Sequence, residues 1–422
     1  MRPLRVYMRK RFPPIGWIHT LRACLLILLF TGCQAAAQQP VLVRIPIEGA
    51  MLIAPDTQGG IYATAIPERE PVIVHYTATG ELRTLVTEED VHQGENEYGA
   101  HIEEDGEFKL MHSPGELWLS GDGAKLLFPV YRHVHPWHLT DVMMLEDGKI
   151  APLLAIDQKL RYSYNGQACE RFNINSRKAV VALDRYQILS LLSSEPSGVL
   201  GNQQVGQLTT VLFTYRPSAA AGEGEEVTAY LDMEQEDREY NVVSPGCLSK
   251  FDFLFAMGIP STGFFQPPSF TLLQADGKGT RQTVATDVRL GENAFACSGK
   301  QASVIYRDRR GATRFLTLLE GGRPQSFFDG NTIDSYPLGE ISHHAVTADA
   351  VHLFLMKVPD GKQGVFAVDA SGTALTLLPP GFAGTGRVVK SMVASAGRLF
   401  FHTDVENVRE PPDPWVFSLL LQ

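Results

Sequence analysis

From Val41 onward, apolar residues come in runs of four to eight, rich in Val, Ile, Leu, Phe and Tyr, with turn-forming residues between them. That is the pattern of short strands, and the three-to-four spacing of an amphipathic helix is nearly absent. Only "LDRYQILSLLSS", Leu183 to Ser194, invites a helical reading. The runs also pair around a glycine, as in "VIVHYTATGELRTLV", "DVMMLEDGKIAPLL", "FTLLQADGKGTRQTV", "FLTLLEGGRPQSFF" and "VFAVDASGTALTLL". Gly80, Gly148, Gly277, Gly321 and Gly372 stand where a hairpin turn needs positive φ.

The last three of these glycines are 44 and 51 residues apart, and Gln422 lies 50 after Gly372. A weaker hairpin, "VTAYLDMEQEDREYNVV", turns near Gln235, about 42 residues before Gly277. Repeats of that length with four short strands each predict an all-β fold, a single β-propeller. Counting outer hairpins gives seven blades, with six or eight as alternatives; the long interval before Gly148 can absorb the polar insertion Thr87 to Lys109, and the one after it has room for an eighth blade. "HHAVTA", "VHLFLMK", "GVFAVD" and "ALTLL" read as the inner, second, third and outer strands of one blade. "NAFACS", "ASVIYRD", "RFLTLL" and "PQSFF" play the same parts in the blade before it. The last unit, "SMVAS", "RLFFHT" and "WVFSLLL", stops one strand short. "VLVRIPI", Val41 to Ile47, alternates with period two and carries Pro46, which cannot donate to a ladder and suits an outer edge. The amino-terminal strand 41–47 is therefore expected to pair with the carboxy-terminal blade and close the ring.

Because strands alternate in direction, connections from second to third strand and from blade to blade share one rim. The longest loops are expected there: Thr87 to Lys109, Arg132 to His138, Ser218 to Glu226, Gly258 to Pro268, Gly330 to Glu340 and Asp404 to Pro414. Long loops on a rigid scaffold are where binding concentrates. Trp137 and the basic island "YRDRRG", with Arg307, Arg309 and Arg310, mark this face. The arginines could receive an anionic partner or pair with neighbouring carboxylates. In "YRHVHPWHLTD", His133 and His135 point to one side of an extended chain, and His138 is within reach after Pro136. Three imidazoles could hold Zn²⁺ or Mn²⁺, and a plain loop packed by Trp137 is the alternative. "AGEGEEVTAYLDMEQEDRE" is acidic but lacks the order of a calcium loop. No nucleophile elbow, Walker loop or dinucleotide fingerprint occurs, so the primary reading is not an enzyme and needs no cofactor.

"LWLSGDGAKLLFPVY", Leu117 to Tyr131, resembles the WD40-like repeat of bacterial TolB-type propellers, through Trp118, Ser120, Asp122, Gly123, Leu126 and Phe128. The resemblance covers about 15 residues and implies the fold. No amino-terminal α/β domain like that of TolB itself is visible. Some propeller lyases that act on uronic-acid sugars use histidine-bound metal, which gives the cluster at His133, His135 and His138 a second implied role.

The amino terminus carries Arg2, Arg5, Arg9, Lys10, Arg11 and Arg22, then an apolar run from Ala23 to Phe30, and has no acidic residue before Cys33. That is the layout of a secretory leader, and the run is far shorter than the roughly 20 residues of a membrane span. Leu29-Phe30-Thr31-Gly32-Cys33 resembles the lipobox of bacterial lipoproteins, with Phe30 where Leu is usual. The resemblance implies a signal peptide 1–32, diacylglycerol on Cys33, a tether 33–40 and a propeller 41–422. It implies export and a lipid anchor in the cell envelope, and Gln34 after the Cys implies the outer membrane. Ordinary cleavage after Ala35-Ala36-Ala37 is the alternative.

Removing the six basic residues of the leader from the 37 Lys plus Arg leaves 31 against 47 Asp plus Glu, a formal charge of −16. That balance argues against a nucleic-acid partner. Beyond Cys24 and Cys33 only Cys169, Cys247 and Cys297 remain, too few for a disulfide framework. Three buried thiols is the simpler expectation, one bridge with a spare thiol the other. Two functions stay open. The first is a membrane-anchored scaffold that presents its long-loop rim to an envelope protein or glycan. The second is a metal-dependent polysaccharide-active enzyme built on the histidine cluster.

Overall fold

A four-stranded antiparallel meander recurs seven times in residues 42–422 of the computed structural model. The structure describes residues 42–50, 52–66, 72–91, 108–110, 118–119, 125–134, 137–182, 185–196, 206–216, 226–236, 242–248, 252–259, 268–298, 301–319, 323–406 and 413–421. The first blade is Leu52–Pro55, Ile61–Ala65, Val72–Tyr76 and Leu82–Val86. In the second, Phe108–Leu110 and Trp118–Leu119 both pair with Lys125–Val134, followed by Trp137–Glu146 and Lys149–Pro152. The third runs from the second half of Gln167–Ala182 through Arg185–Ser193 and Leu208–Arg216 to Glu226–Asp232. The sixth is Glu340–Val346, His352–Lys357, Gln363–Val368 and Ala374–Leu378. These are the strands of a β-propeller, inner to outer in chain order.

The fourth and fifth blades share a strand. Arg281–Ser298 pairs through its first half with Ser269–Asp276, closing the blade that begins Val242–Leu248 and Asp252–Ile259. Its second half is the inner strand of the next blade, with Gln301–Arg307, Thr313–Leu319 and Gln325–Phe328. A single parallel bridge, Asn293 to His343, then joins the inner strands of blades five and six. At Gly291 the backbones come so close that an added Cβ would lie 2.4 Å from the Ile341 carbonyl oxygen. Only glycine fits there.

The seventh blade is completed from the other end of the chain, as expected. Arg387–Ser395, Arg398–Val405 and Trp415–Leu420 are followed at the outer edge by Leu42–Ile45, antiparallel, with Leu42 opposite Leu419 and Ile45 opposite Val416. Ile45, Ile47 and Ala50 are buried with Phe400, Val416 and the first blade's Ile53 and Ile61. A second stitch joins the same two blades. The Ser395 hydroxyl donates to the Asp56 backbone carbonyl, and the Gly59 amide donates to the Ser395 hydroxyl at 3.2 Å.

Middle strands are buried along nearly their whole length, Gln301–Arg307 and His352–Lys357 among them. They pack against neighbouring blades on both faces, so alternation disappears. Arg185–Ser193 is such a strand, which is why "LDRYQILSLLSS" imitates a helix. Four turns share one design. Asp56, Asp276, Asp308 and Asp369 each accept, on a carboxylate oxygen, the amides two and four residues later. The residue three on is Gly59, Gly279, Gly311 or Gly372, all at positive φ. The turn glycine near residue 277 is thus Gly279, because φ must be positive at the fourth position of the turn and not the second.

Three further expectations change. Gln235 is not the tip of a hairpin: Glu226–Asp232 ends the third blade and Val242–Leu248 begins the fourth, so 233–241 is a blade-to-blade connection. The long interval after Gly148 holds a hairpin of Lys159–Tyr164 with the first half of Gln167–Ala182, and not an eighth blade. Cys297 is exposed and disulfide-bonded, while Cys169 is a partly exposed free thiol, so the reading of three buried thiols fails.

Candidate functional site

Strand order places the connections at 307–313, 328–340 and 404–415 on the expected loop-bearing rim. It also corrects two members of the set. Ser218 to Glu226 joins a third strand to an outer strand and so lies on the opposite rim; the third blade contributes 193–208 instead. Arg132 to His138 is not a loop. Its residues extend the second blade's central hairpin, with His133 opposite His138, Val134 opposite Trp137, and only His135 and Pro136 between the strands. The side chains of His133, Trp137 and His138, together with His135 and the leader with Cys33, lie outside the described residues. Among the described residues no group of three His, Cys, Asp or Glu side chains is placed to hold a metal ion.

The basic island is a turn of the Asp-capped design in the fifth blade. Asp308 caps the amides of Arg310 and Ala312 with one oxygen, and its other oxygen accepts Arg314 at 2.9 Å. Desolvation, the largest single influence, pushes the Asp308 carboxyl up, but these bonds together outweigh it and hold the group below the ordinary carboxylate range. Arg309 and Arg310 occupy the two tip positions and are exposed. Arg307, at the end of its strand, faces Arg289 directly across the ladder. Sequence inspection missed Arg289, 18 residues earlier, because only the fold brings it opposite Arg307. Among the described residues neither the Arg289 nor the Arg307 side chain has a hydrogen-bonding or ion-pairing partner.

The rim of the seventh blade holds an open cavity of about 660 Å³, lined by Gly386, Arg387, Glu406, Asp413 and Trp415 among others. Here the cation and the aromatic ring are already engaged, Glu406 being the exception among the charged lining residues. Arg387 donates to Asp413 Oδ2 at 2.9 Å and lies 3.8 Å from the Trp415 ring centre. The Trp415 indole N–H donates to Asp413 Oδ1, and Arg44 of the closing strand stacks over the same ring at 4.2 Å. Stacked guanidinium–indole contacts of this kind are worth about 0.5–1 kcal/mol when exposed and more when dry. The cavity wall is therefore a clasp for the closing strand, satisfied from within. The fifth-blade arginines are not satisfied, and they make the better candidate site.

Of the acidic stretch, Asp232, Glu234 and Glu236 are likewise engaged internally. Asp232 accepts Tyr162 and Thr209 at 2.8 Å each, Glu234 pairs with Arg171, and Glu236 pairs with Arg281 at 2.8 Å. Burial and these carboxylates push the Tyr162 and Tyr164 phenols up.

Between blades five and six runs a buried chain of side chains. The Ala294 carbonyl can only accept, so His344 Nδ1 carries the proton there, at 3.3 Å. His344 Nε2 must then accept from His352 Nδ1, at 3.2 Å, and His352 Nε2 accepts from Gln301 Nε2 at 2.9 Å. Both imidazoles are thereby neutral and fixed in tautomer, with Phe327 stacked 3.5 Å from His352. Burial, with His352 nearby, lowers His344 to about 3, and burial lowers His352 to about 4. His343, the other histidine of that inner strand, bonds the Lys390 carbonyl at 2.8 Å.

No family model matches this chain, and no curated protein matches it. Among solved structures, it is similar to a Xanthomonas campestris gluconolactonase at 11% identity and TM-score 0.37, over 92% of this chain and 93% of that one. It is similar to a Mycobacterium tuberculosis puromycin-hydrolyzing peptidase at 11% identity and TM-score 0.48, over 88% of this chain and 51% of that one, so it spans about half the peptidase. The BP39L lectin from Burkholderia pseudomallei gives 10% identity and TM-score 0.42, over 87% and 98%.

Proposed function

We propose that this protein is an exported, lipid-anchored propeller of the bacterial cell envelope, a scaffold whose loop-bearing rim engages an envelope protein or glycan. The propeller is established by its own blade topology. The observation that supports the binding role is the fifth-blade turn, which displays two arginines at its tip beside two more without internal partners. The lipobox-like segment ending at Cys33 supports the anchor, since several acyl chains at about 0.8 kcal/mol per buried CH₂ attach a protein durably. Cells fed a clickable palmitate analogue should label the wild-type chain in the membrane fraction. Cys33→Ala should abolish the label and release the protein; equal labelling of the variant would rule the anchor out.

A second reading rests on the register that sets His133 opposite His138 across two residues. On this reading the cluster holds Zn²⁺ or Mn²⁺ in a polysaccharide-active enzyme. Purified protein should then carry stoichiometric metal that His133→Ala/His138→Ala removes. Metal-free wild-type protein after growth in supplemented medium would eliminate it.

A further inference from the structure

We infer that Arg289 and Arg307 form an oxyanion-binding pair, for a carboxylate, sulfate or phosphate group, with Arg309 and Arg310 extending it along the turn. The inference deepens the scaffold reading by naming the chemistry its rim recognises. Directly opposed residues on an antiparallel ladder have Cβ atoms about 4.5–5.5 Å apart, and like charges there repel. A protein keeps such a pair at little cost only if something neutralises it. Arg289 is exposed and Arg307 half-buried, and the neighbouring carboxylate, Asp308, is fully used by Arg314 and two backbone amides. The other three Asp-capped turns carry Thr57-Gln58, Gly277-Lys278 and Ala370-Ser371 at the tip positions, so the turn itself does not require arginine. Planar guanidinium forks match the two oxygens of a carboxylate, or two of a sulfate or phosphate, in paired charge-assisted hydrogen bonds. A single oxyanion between Arg289 and Arg307 would convert repulsion into a bridge, and a repeating polyanion could continue to Arg309 and Arg310.

The test is calorimetric titration of the full chain with sodium polygalacturonate, with inorganic sulfate and phosphate, and with neutral dextran. Binding of the polyuronate alone points to an acidic glycan; binding of the free ions points to a small anion; either supports the pair. Arg289→Gln should weaken binding on the order of tenfold, and Arg289→Gln/Arg307→Gln on the order of a hundredfold, as expected for losing charge-assisted bonds at about 1.4 kcal/mol per tenfold. Arg323→Gln, exposed on the opposite rim of the same blade, should bind as wild type and report on nonspecific charge. No binding of any anion, full affinity in the double variant at unchanged melting temperature, or equal weakening by Arg323→Gln would overturn the inference. The palmitate labelling of Cys33 does not involve these arginines, so failure here and failure of the anchor are separately visible.

Discussion

Ile45→Asp should sharply lower the urea midpoint of unfolding, whereas Val43→Asp, two residues away on the same strand, should leave it nearly unchanged. Ile45 is 2% exposed and packs with Phe400, Val416, Ile53 and Ile61 at the junction of the last and first blades. Val43 is 50% exposed. Truncating a buried isoleucine costs about 2–5 kcal/mol, and placing an unpaired carboxylate there costs more. Net stability is only about 5–15 kcal/mol, so this one side chain decides much of it. The loss is larger than burial alone suggests, because the strand it displaces holds Arg44 over Trp415 and covers the edge of Trp415–Leu420. With the strand gone, that edge would present unpaired backbone groups and invite aggregation. Deleting 42–47 should accordingly broaden or abolish the single cooperative transition. Equal midpoints for Ile45→Asp and Val43→Asp would show that the ring does not depend on its closing strand.

Acid should be the second large lever. His402, like His344 and His352, is held neutral by burial, at about 4; Asp404 pulls the other way, and Lys390 and Arg387 add to the lowering. A histidine whose folded value lies below its unfolded one, near 6.5, takes its proton first in the unfolded chain. Its stabilising contribution is therefore fully present above about pH 7 and is lost as pH falls from 6.5 towards 4 and, for His344, about 3. At about 1.36 kcal/mol per unit, His402 alone removes on the order of 3 kcal/mol by pH 4. The linked pair should act as one site, because protonating either imidazole breaks the donor order from Gln301 to the Ala294 carbonyl. Among the described residues neither ring nitrogen of His402 has a partner. His402→Leu should thus be neutral or stabilising at pH 7 and should flatten the decline between pH 6.5 and 4. An unchanged pH slope in that variant would contradict the assignment.

Much of the architecture was legible because its signals are local. Strand, turn and spacing identified seven blades, and Pro46 with the missing last strand identified the closure. What escaped depends on neighbours far away in sequence. Arg185–Ser193 lost its alternation to burial on both faces, and the third blade was misread by one strand because 226–248 looks like one hairpin when its halves belong to different blades. The candidate site was half visible. Arg307, Arg309 and Arg310 stand together in the sequence, but nothing local points to Arg289. The histidine chain was equally hidden, since Gln301, His344 and His352 come from two blades and only packing aligns their donors and acceptors.

The strand shared by blades four and five also divides the ring unequally. Blades five and six share one parallel bridge, whereas between blades four and five Arg281–Ser298 passes from one sheet into the next without a break in its strand. Opening either sheet must disturb the ladder of the other. The strands of these two blades, from Val242–Leu248 to Gln325–Phe328, should therefore exchange their amide hydrogens as a single protected block, and the propeller should fray as six units.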